Sequence, residues 1–298
     1  MQVIVAGGTG FVGRHLCRHL LEAGYGVTAL GSKARAEAIR HPDYRYVAAD
    51  TTRGGPWQDV LADADVVVNL AGRSIFKRWT RSYKQALYDS RILTTRNLAA
   101  GLPAQRAALL LSASAIGYYG EGGEQVLRES QPAGHDFLAN LSRDWEAAAR
   151  DARTRGVRVA VMRFGVVLGR DGGALRQMVP AFRLGAGGPL GNGRQWFSWI
   201  HLDDLAAAIL FLIGDASAAG AYNFCAPQPV RNRELAATLG KILRRPAVIP
   251  VPAAVLRLAL GEFAQTLLAS QRVVPLRLQQ AGFEFQFPTL ESALRDLV

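Results

Sequence analysis

Apolar residues in the first half of the chain fall into short unbroken runs, and between the runs they recur at helical spacing. Val3–Ile4–Val5 is a β-branched run that ends in glycines. Phe11, Val12, Leu16 and Leu20 then repeat every three to four residues as far as Ala23, which predicts a helix. Further strands are expected at Val27–Leu30, Tyr44–Ala48, Asp65–Leu70, Ala107–Ser112 and Val157–Met162, with helices over Arg81–Ala100 and Phe137–Thr154. Strands that stay apolar through their centres and alternate with helices indicate a parallel sheet covered on both faces. The expected fold is α/β: a Rossmann-type, doubly wound parallel sheet.

Beyond Phe164 the pattern changes. Gly185–Gly193 is glycine-rich, Trp196–Ile200 is strand-like, and Asp203–Ile213 reads as a helix with Asp203 at its N-cap. A strand at Ala221–Cys225, a helix at Arg233–Leu243 and a helical stretch at Ala253–Ser270 follow. Residues 1–164 are expected to form the sheet domain, its core taking in strands from 195–225. Residues 165–298 are expected to form a smaller substrate lobe, with 250–298 a distinct C-terminal segment.

Composition narrows the function classes. Of 298 residues, 49% are hydrophobic and 20% charged, as in an ordinary globular protein. The net charge of +11 is carried mostly by dispersed arginine; the lysines are Lys33, Lys77, Lys84 and Lys241. No basic tract points to nucleic acid, and the field favours small anionic ligands. Cys17 and Cys225 are too few and too far apart for a disulfide framework or a thiolate metal site, and no Cys/His cluster appears along the chain. Leu205–Ile213 is too short to span a bilayer, and the first strand opens at Gln2 without a leader ahead of it. A cytoplasmic protein is expected, with a homodimer as a candidate state and no membrane or metal partner.

The chemistry begins at Gly7, Gly10 and Gly13, a G-x-x-G-x-x-G run between the first strand and the first helix. Glycine there permits a tight turn, lets backbone approach a pyrophosphate, and packs helix on strand. The helix N-terminus then meets the phosphate charge. Thr9, Phe11 and Val12 fill the same motif and join the expected cofactor contact. At the end of the second strand, NAD binding usually places an acid on the ribose 2′-hydroxyl. This chain has Ser32, Lys33 and Arg35 instead, a hydroxyl and two cations that suit a 2′-phosphate, so NADP(H) is expected over NAD(H). Asp50 is placed to meet the adenine or to cap a helix. Leu70, Ala71 and Gly72 close the fourth strand beside the ribose.

These residues resemble the extended short-chain dehydrogenase/reductases of the NAD-dependent epimerase/dehydratase type. More narrowly, they are similar to the atypical subgroup of bacterial YfcH-like proteins and animal short-chain dehydrogenase/reductase family 39U. The carriers are Gly7–Gly13, Asn69–Gly72, Lys77–Arg78–Trp79, Ser112–Gly120, Trp145–Glu146 and the run from Gly187 to Asp204, with Val251–Leu297 resembling the subgroup's C-terminal domain. The resemblance implies a cytoplasmic NADP(H)-binding epimerase or oxidoreductase; a cell-division label attached to the subgroup carries no chemistry recoverable from these residues.

One departure matters. The wider family pairs a Ser/Thr with Tyr-x-x-x-Lys, the lysine lowering the phenol pKa for proton transfer. No tyrosine here has lysine four positions later, and Phe137 and Leu141 occupy the region where the pair belongs. Ser114 (with Ser112 as the alternative) keeps the serine half. Tyr118 and Tyr119 are the candidate proton donors, and each could equally be a packing ring. Lys84 and Arg91 are candidate stand-ins for the lysine; Arg91 could also bind a cofactor phosphate. Arg163, Arg194 and His201 are candidate substrate contacts, the alternatives being an internal ion pair for Arg163 and a buried, hydrogen-bonded ring for His201. Two functions compete: an NADP(H)-dependent oxidoreductase or epimerase acting on an anionic or sugar-nucleotide-like small molecule, and an NADP(H)-binding regulatory protein with little turnover.

Overall fold

The computed structural model describes residues 1–34, 39–103 and 108–298. Among them, seven strands form one parallel sheet: β1 (Gln2–Ala6), β2 (Gly26–Gly31), β3 (Tyr44–Ala48), β4 (Val66–Asn69), β5 (Leu109–Ala115), β6 (Arg158–Phe164) and β7 (Gly220–Phe224), in the order β7-β6-β5-β4-β1-β2-β3. Side chains alternate between its faces, as a pleated strand requires. Val3 and Val5 face one way, with Val27, Val68 and Leu111, and pack under helices α1 (Phe11–Glu22) and α5 (Leu202–Gly214). Ile4 and Ala6 face the other way, with Val67, Leu110 and Val161. They pack against Leu98 of α2 (Arg81–Gly101), Ala149 of α3 (Phe137–Arg150) and Trp57 of a short 3-10 turn. The chain order reverses between β1 and β4, and such a reversal opens a crevice at the carboxyl ends of the strands.

The sheet is completed only late in the chain, because β7 and α5 both follow residue 165. Between them and β6, Val166–Gly169 pairs in parallel with Trp199–His201. A second core forms where α4 (Gly173–Arg183), α6 (Asn232–Leu243) and the C-terminal helix pack Leu175, Phe182, Leu235, Leu239 and Leu294 around the buried Trp199. The glycine-rich loop belongs to this packing. Gly191 N–H donates to the Val251 carbonyl and Val251 N–H to that of Pro189, both at 2.9 Å, and a Cβ on Gly188 would collide with the Ile249 carbonyl.

Three expected elements differ in detail. Trp196–Ile200 breaks at Ser198, whose hydroxyl bonds to the Gln271 carbonyl at 2.7 Å. The stretch 253–270 divides into α7 (Ala253–Leu260) and α8 (Phe263–Leu268), because Gly261 between them has φ +62°. Helix α5 is capped by His201, whose Nδ1 accepts from Asp203 N–H at 3.1 Å, so Asp203 lies inside the first turn. Two further helices complete the C-terminal segment, α9 (Leu276–Gln280) and α10 (Leu290–Leu297).

Candidate functional site

The crevice between β1 and β4 is built from backbone. Gly7 sits at φ +79° and donates to the Leu30 carbonyl at 2.9 Å. A Cβ on Gly7 would stand 2.9 Å from the Leu70 carbonyl and Ala71 N, and one on Gly13 would strike the Gly7 carbonyl oxygen. Turn, helix and the end of β4 therefore touch where side chains are missing. Gly10 is the N-cap of α1 and supplies no capping side chain, and the first turn carries no acid. The first N–H groups of α1 thus present an uncompensated positive end. These features fit a dinucleotide pyrophosphate. The Phe11 ring lies against Gly169, Gly172 and Gly173, tying α1 to the segment after β6. Thr9 lies beside Gly31.

At the end of β2, Ser32 and Lys33 are exposed. The Tyr46 hydroxyl holds this loop by donating toward the Gly31 and Lys33 carbonyls, at 3.0 and 2.5 Å. Arg35 lies outside the described residues. Asp50 is exposed and caps a turn, not a helix: it accepts from the Thr52 hydroxyl at 2.6 Å and the Thr52 N–H at 3.1 Å, and the hydroxyl bond above all holds its carboxyl below the usual range. Ala71 N–H donates to Asn69 Oδ1 at 3.2 Å. Arg91 stands behind Gly72, donating to the Leu87 and Arg73 carbonyls at 3.1 and 3.0 Å. Burial lowers its pKa to about 10. Arg91 therefore shapes the crevice wall, and both of its bonds are to backbone.

The candidate chemistry lies further along the same edge. Parallel register places Ser114, Arg163 and Asn223 side by side on β5, β6 and β7. All three are buried, and α3 delivers Glu146 to them. Ser114 Oγ donates to Glu146 Oε1 at 2.9 Å. Arg163 grips the same carboxylate with Nε at 2.8 Å and Nη2 at 3.0 Å, and its Nη1 donates to the Tyr119 hydroxyl at 2.9 Å and the Glu129 carbonyl at 3.1 Å. The Tyr119 hydroxyl donates a hydrogen bond to Asn223 Oδ1 at 2.7 Å. Burial opposes the charge of Arg163, but its bonds to Glu146 and Tyr119 outweigh this and hold its pKa above the ordinary value. Burial pushes the Tyr119 phenol up, despite the neighbouring cation.

Several candidate residues thus receive structural work. Arg163 is closed in an internal pair and is not a free substrate clamp. Tyr119 has no free hydroxyl and a raised pKa, which is poor equipment for a proton donor. His201 is buried outside the crevice, stacked on Phe287 at 3.8 Å. Lys84 pairs with Glu262 at 2.7 Å. Phe137 and Leu141 join Trp79 and Phe263 in an apolar cluster, and the Lys84 ammonium lies 4.9 Å from the Phe137 ring centroid. Tyr118 differs. The Arg163 guanidinium lies 3.5 Å from its ring centroid, and no hydrogen bond engages its hydroxyl among the described residues. Arg194 is exposed beside a cavity of about 300 Å³ that Glu124, Arg231 and Arg233 also line. Arg231 there is held by Glu124 and stacked on Trp196. Glu146, Asn223 and Glu124 were not among the expected site residues. Trp145–Glu146 stood out as a motif, but nothing local to it shows that Glu146 meets Ser114 and Arg163.

Sheet order, glycine turn and serine-bearing β5 edge together define a Rossmann protein of the short-chain dehydrogenase/reductase class. Residues 3–225 match the NAD dependent epimerase/dehydratase family, and residues 251–297 match a domain of unknown function (DUF1731). The chain belongs to the NAD dependent epimerase/dehydratase family. It is 42% identical over 303 residues to the epimerase family protein SDR39U1 homolog, chloroplastic, of Arabidopsis thaliana, covering 100% of this chain and 87% of that protein. It is 40% identical over 294 residues to the epimerase family protein MT2273 of Mycobacterium tuberculosis, with 98% and 96% covered. The crystal structure of human epimerase family protein SDR39U1 (isoform 2) with NADPH superposes at a TM-score of 0.87, with 35% identity and 100% and 99% covered. The resemblance to the 39U subgroup read from the sequence agrees with these matches. Among the described residues, no helix is long and apolar enough to cross a membrane.

Proposed function

We propose that this protein binds NADP(H) in the β1–β4 crevice and acts as an oxidoreductase or epimerase on a small anionic or sugar-nucleotide-like molecule. The cofactor choice is supported by the exposed Ser32 and Lys33 at the end of β2, where the described residues place no carboxylate for a 2′-hydroxyl, and by the NADPH in the human relative. When bound, the nicotinamide supplies hydride exchange with a carbinol carbon. The chain's own contribution is proton handling and orientation. Ser114, with its proton directed to Glu146, offers lone pairs to a substrate hydroxyl. Tyr118 exchanges the proton, its ring held in place under the Arg163 guanidinium. Arg194 and Arg233 attract the anionic part of the substrate.

The observation that carries the chemical reading is Tyr118, whose hydroxyl makes no hydrogen bond among the described residues while its ring lies under a fixed cation. The test is nicotinamide absorbance with NADP(H) and a panel of sugar nucleotides and carbonyl acids, for wild type and Tyr118→Phe. Turnover that falls by roughly 10²–10⁴-fold in the variant supports the assignment; an unchanged rate removes it. The second reading, an NADP(H)-binding regulator, is favoured by the engagement of Ser114, Arg163 and Tyr119 with one another. Bound NADPH that stays reduced across the whole panel selects that reading.

A further inference from the structure

Away from the crevice, α1 and α5 bring together metal-ligating side chains that the chemistry above does not use. His15 and His19 stand four residues apart and share one face of α1, their ring centroids 4.4 Å apart. Asp203 approaches from the first turn of α5, with Oδ1 2.7 Å from His15 Nε2. One donor atom from each of the three lies within 4.8 Å of the other two. His15 Nε2 and His19 Nδ1 are buried atoms that make no hydrogen bond among the described residues, so the contact to Asp203 is close without being aligned as a hydrogen bond. Glu22 Oε2 is the next carboxylate, 3.8 Å from His19 Nδ1. Buried imidazole nitrogens usually find a partner. Two that converge on one carboxylate, one of them in ion-pair contact with it and neither in an aligned hydrogen bond, are a donor set for a cation.

We propose that His15, His19 and Asp203 hold one divalent transition-metal ion at the seam between α1 and α5. Two imidazoles and a carboxylate suit zinc, which binds such ligands at about 2.0–2.2 Å in tetrahedral geometry, with water or Glu22 in the fourth position. Tetrahedral ligand atoms at that radius stand about 3.3 Å apart, so His15 and Asp203 separate by roughly half an ångström and the wider pairs draw in. Behind Asp203, its own N–H bonds to His201 Nδ1 and so fixes the backbone that presents the carboxylate. The ion joins the helix that carries the glycine turn to a helix far away in sequence, so its role is to stiffen the fold.

The test uses tag-free, chelator-stripped, full-length protein titrated with zinc chloride alone, followed by calorimetry and thermal melting, with cobalt(II) absorbance reporting geometry. Expected are one ion per chain, a raised melting midpoint and tetrahedral cobalt bands. His19→Gln and, separately, His15→Gln are expected to lower zinc affinity roughly tenfold or more. Their zinc-free melting and NADPH binding should stay at wild-type values. A wild type that takes up no zinc overturns the site, and so do variants that bind zinc as tightly as wild type.

Discussion

Two stretches of the same sheet edge are built on opposite plans. At β1, β2 and β4 the surface is backbone: Gly7, Gly13 and Gly72 remove side chains so that turn, helix and strand end can meet, and the N-terminus of α1 is left without a cap. At β5, β6 and β7 the surface is side chain: Ser114, Glu146, Arg163, Tyr119 and Asn223 bond to one another and are buried. The first stretch has polar groups waiting for a ligand. The second has nearly all of its polar groups answered from within, Tyr118 excepted. Binding and chemistry, which the wider family joins at one edge, rest here on separable foundations.

The largest effect is expected from breaking the closed stretch. Arg163→Met leaves Glu146 buried with Ser114 and a single Arg150 contact at 3.4 Å in place of the two-pronged Arg163 grip, and should cost about 3–5 kcal/mol in denaturant unfolding. Glu146→Gln combined with Arg163→Met should recover part of this loss, and a double variant no better than the single would show that the pair is not the coupled unit described. The open stretch should respond differently. Gly13→Ala forces a methyl group into the Gly7 carbonyl and should cost about 1–3 kcal/mol, with NADPH affinity falling in parallel in a fluorescence titration. The two tyrosines sharpen the contrast further. Tyr119→Phe removes a phenol bonded to both Asn223 and Arg163 and should destabilise by about 1–3 kcal/mol. Tyr118→Phe should stay within about 0.5 kcal/mol of wild type while turnover collapses. Equal melting of the two variants would erase the distinction between a structural and a working phenol. Smallest is Lys33→Ala, an exposed change that should leave melting unaltered and weaken NADPH by roughly tenfold, about 1.4 kcal/mol, with NADH binding unmoved.

What the sequence revealed divides along the same line. The strands, α1 and the glycine turn are local signals: Val3–Val5, Gly7–Gly13 and Phe11–Leu20 lie within a few residues of one another, and periodicity with backbone need is enough to read them. The network is not local. Ser114, Arg163 and Asn223 become neighbours only through parallel register, and Glu146 reaches them from a helix. Arg163 therefore looked like a free cation at a strand end, and Tyr119 like a donor equal to Tyr118. The metal-ligating triad was hidden for the same reason, since His15 and His19 meet Asp203 only after α1 packs on α5. His201 before Asp203 stays open in the sequence between a substrate contact and a buried ring, because an exposed and a buried histidine look alike in one dimension.

The most direct test is a side-by-side titration of NADPH and NADH into the wild-type protein. Tighter binding of NADPH by roughly tenfold or more is the predicted result. Equal affinities, or a preference for NADH, would contradict the assignment of the β2 loop to a 2′-phosphate and with it the reading of the open stretch as an NADP(H) crevice.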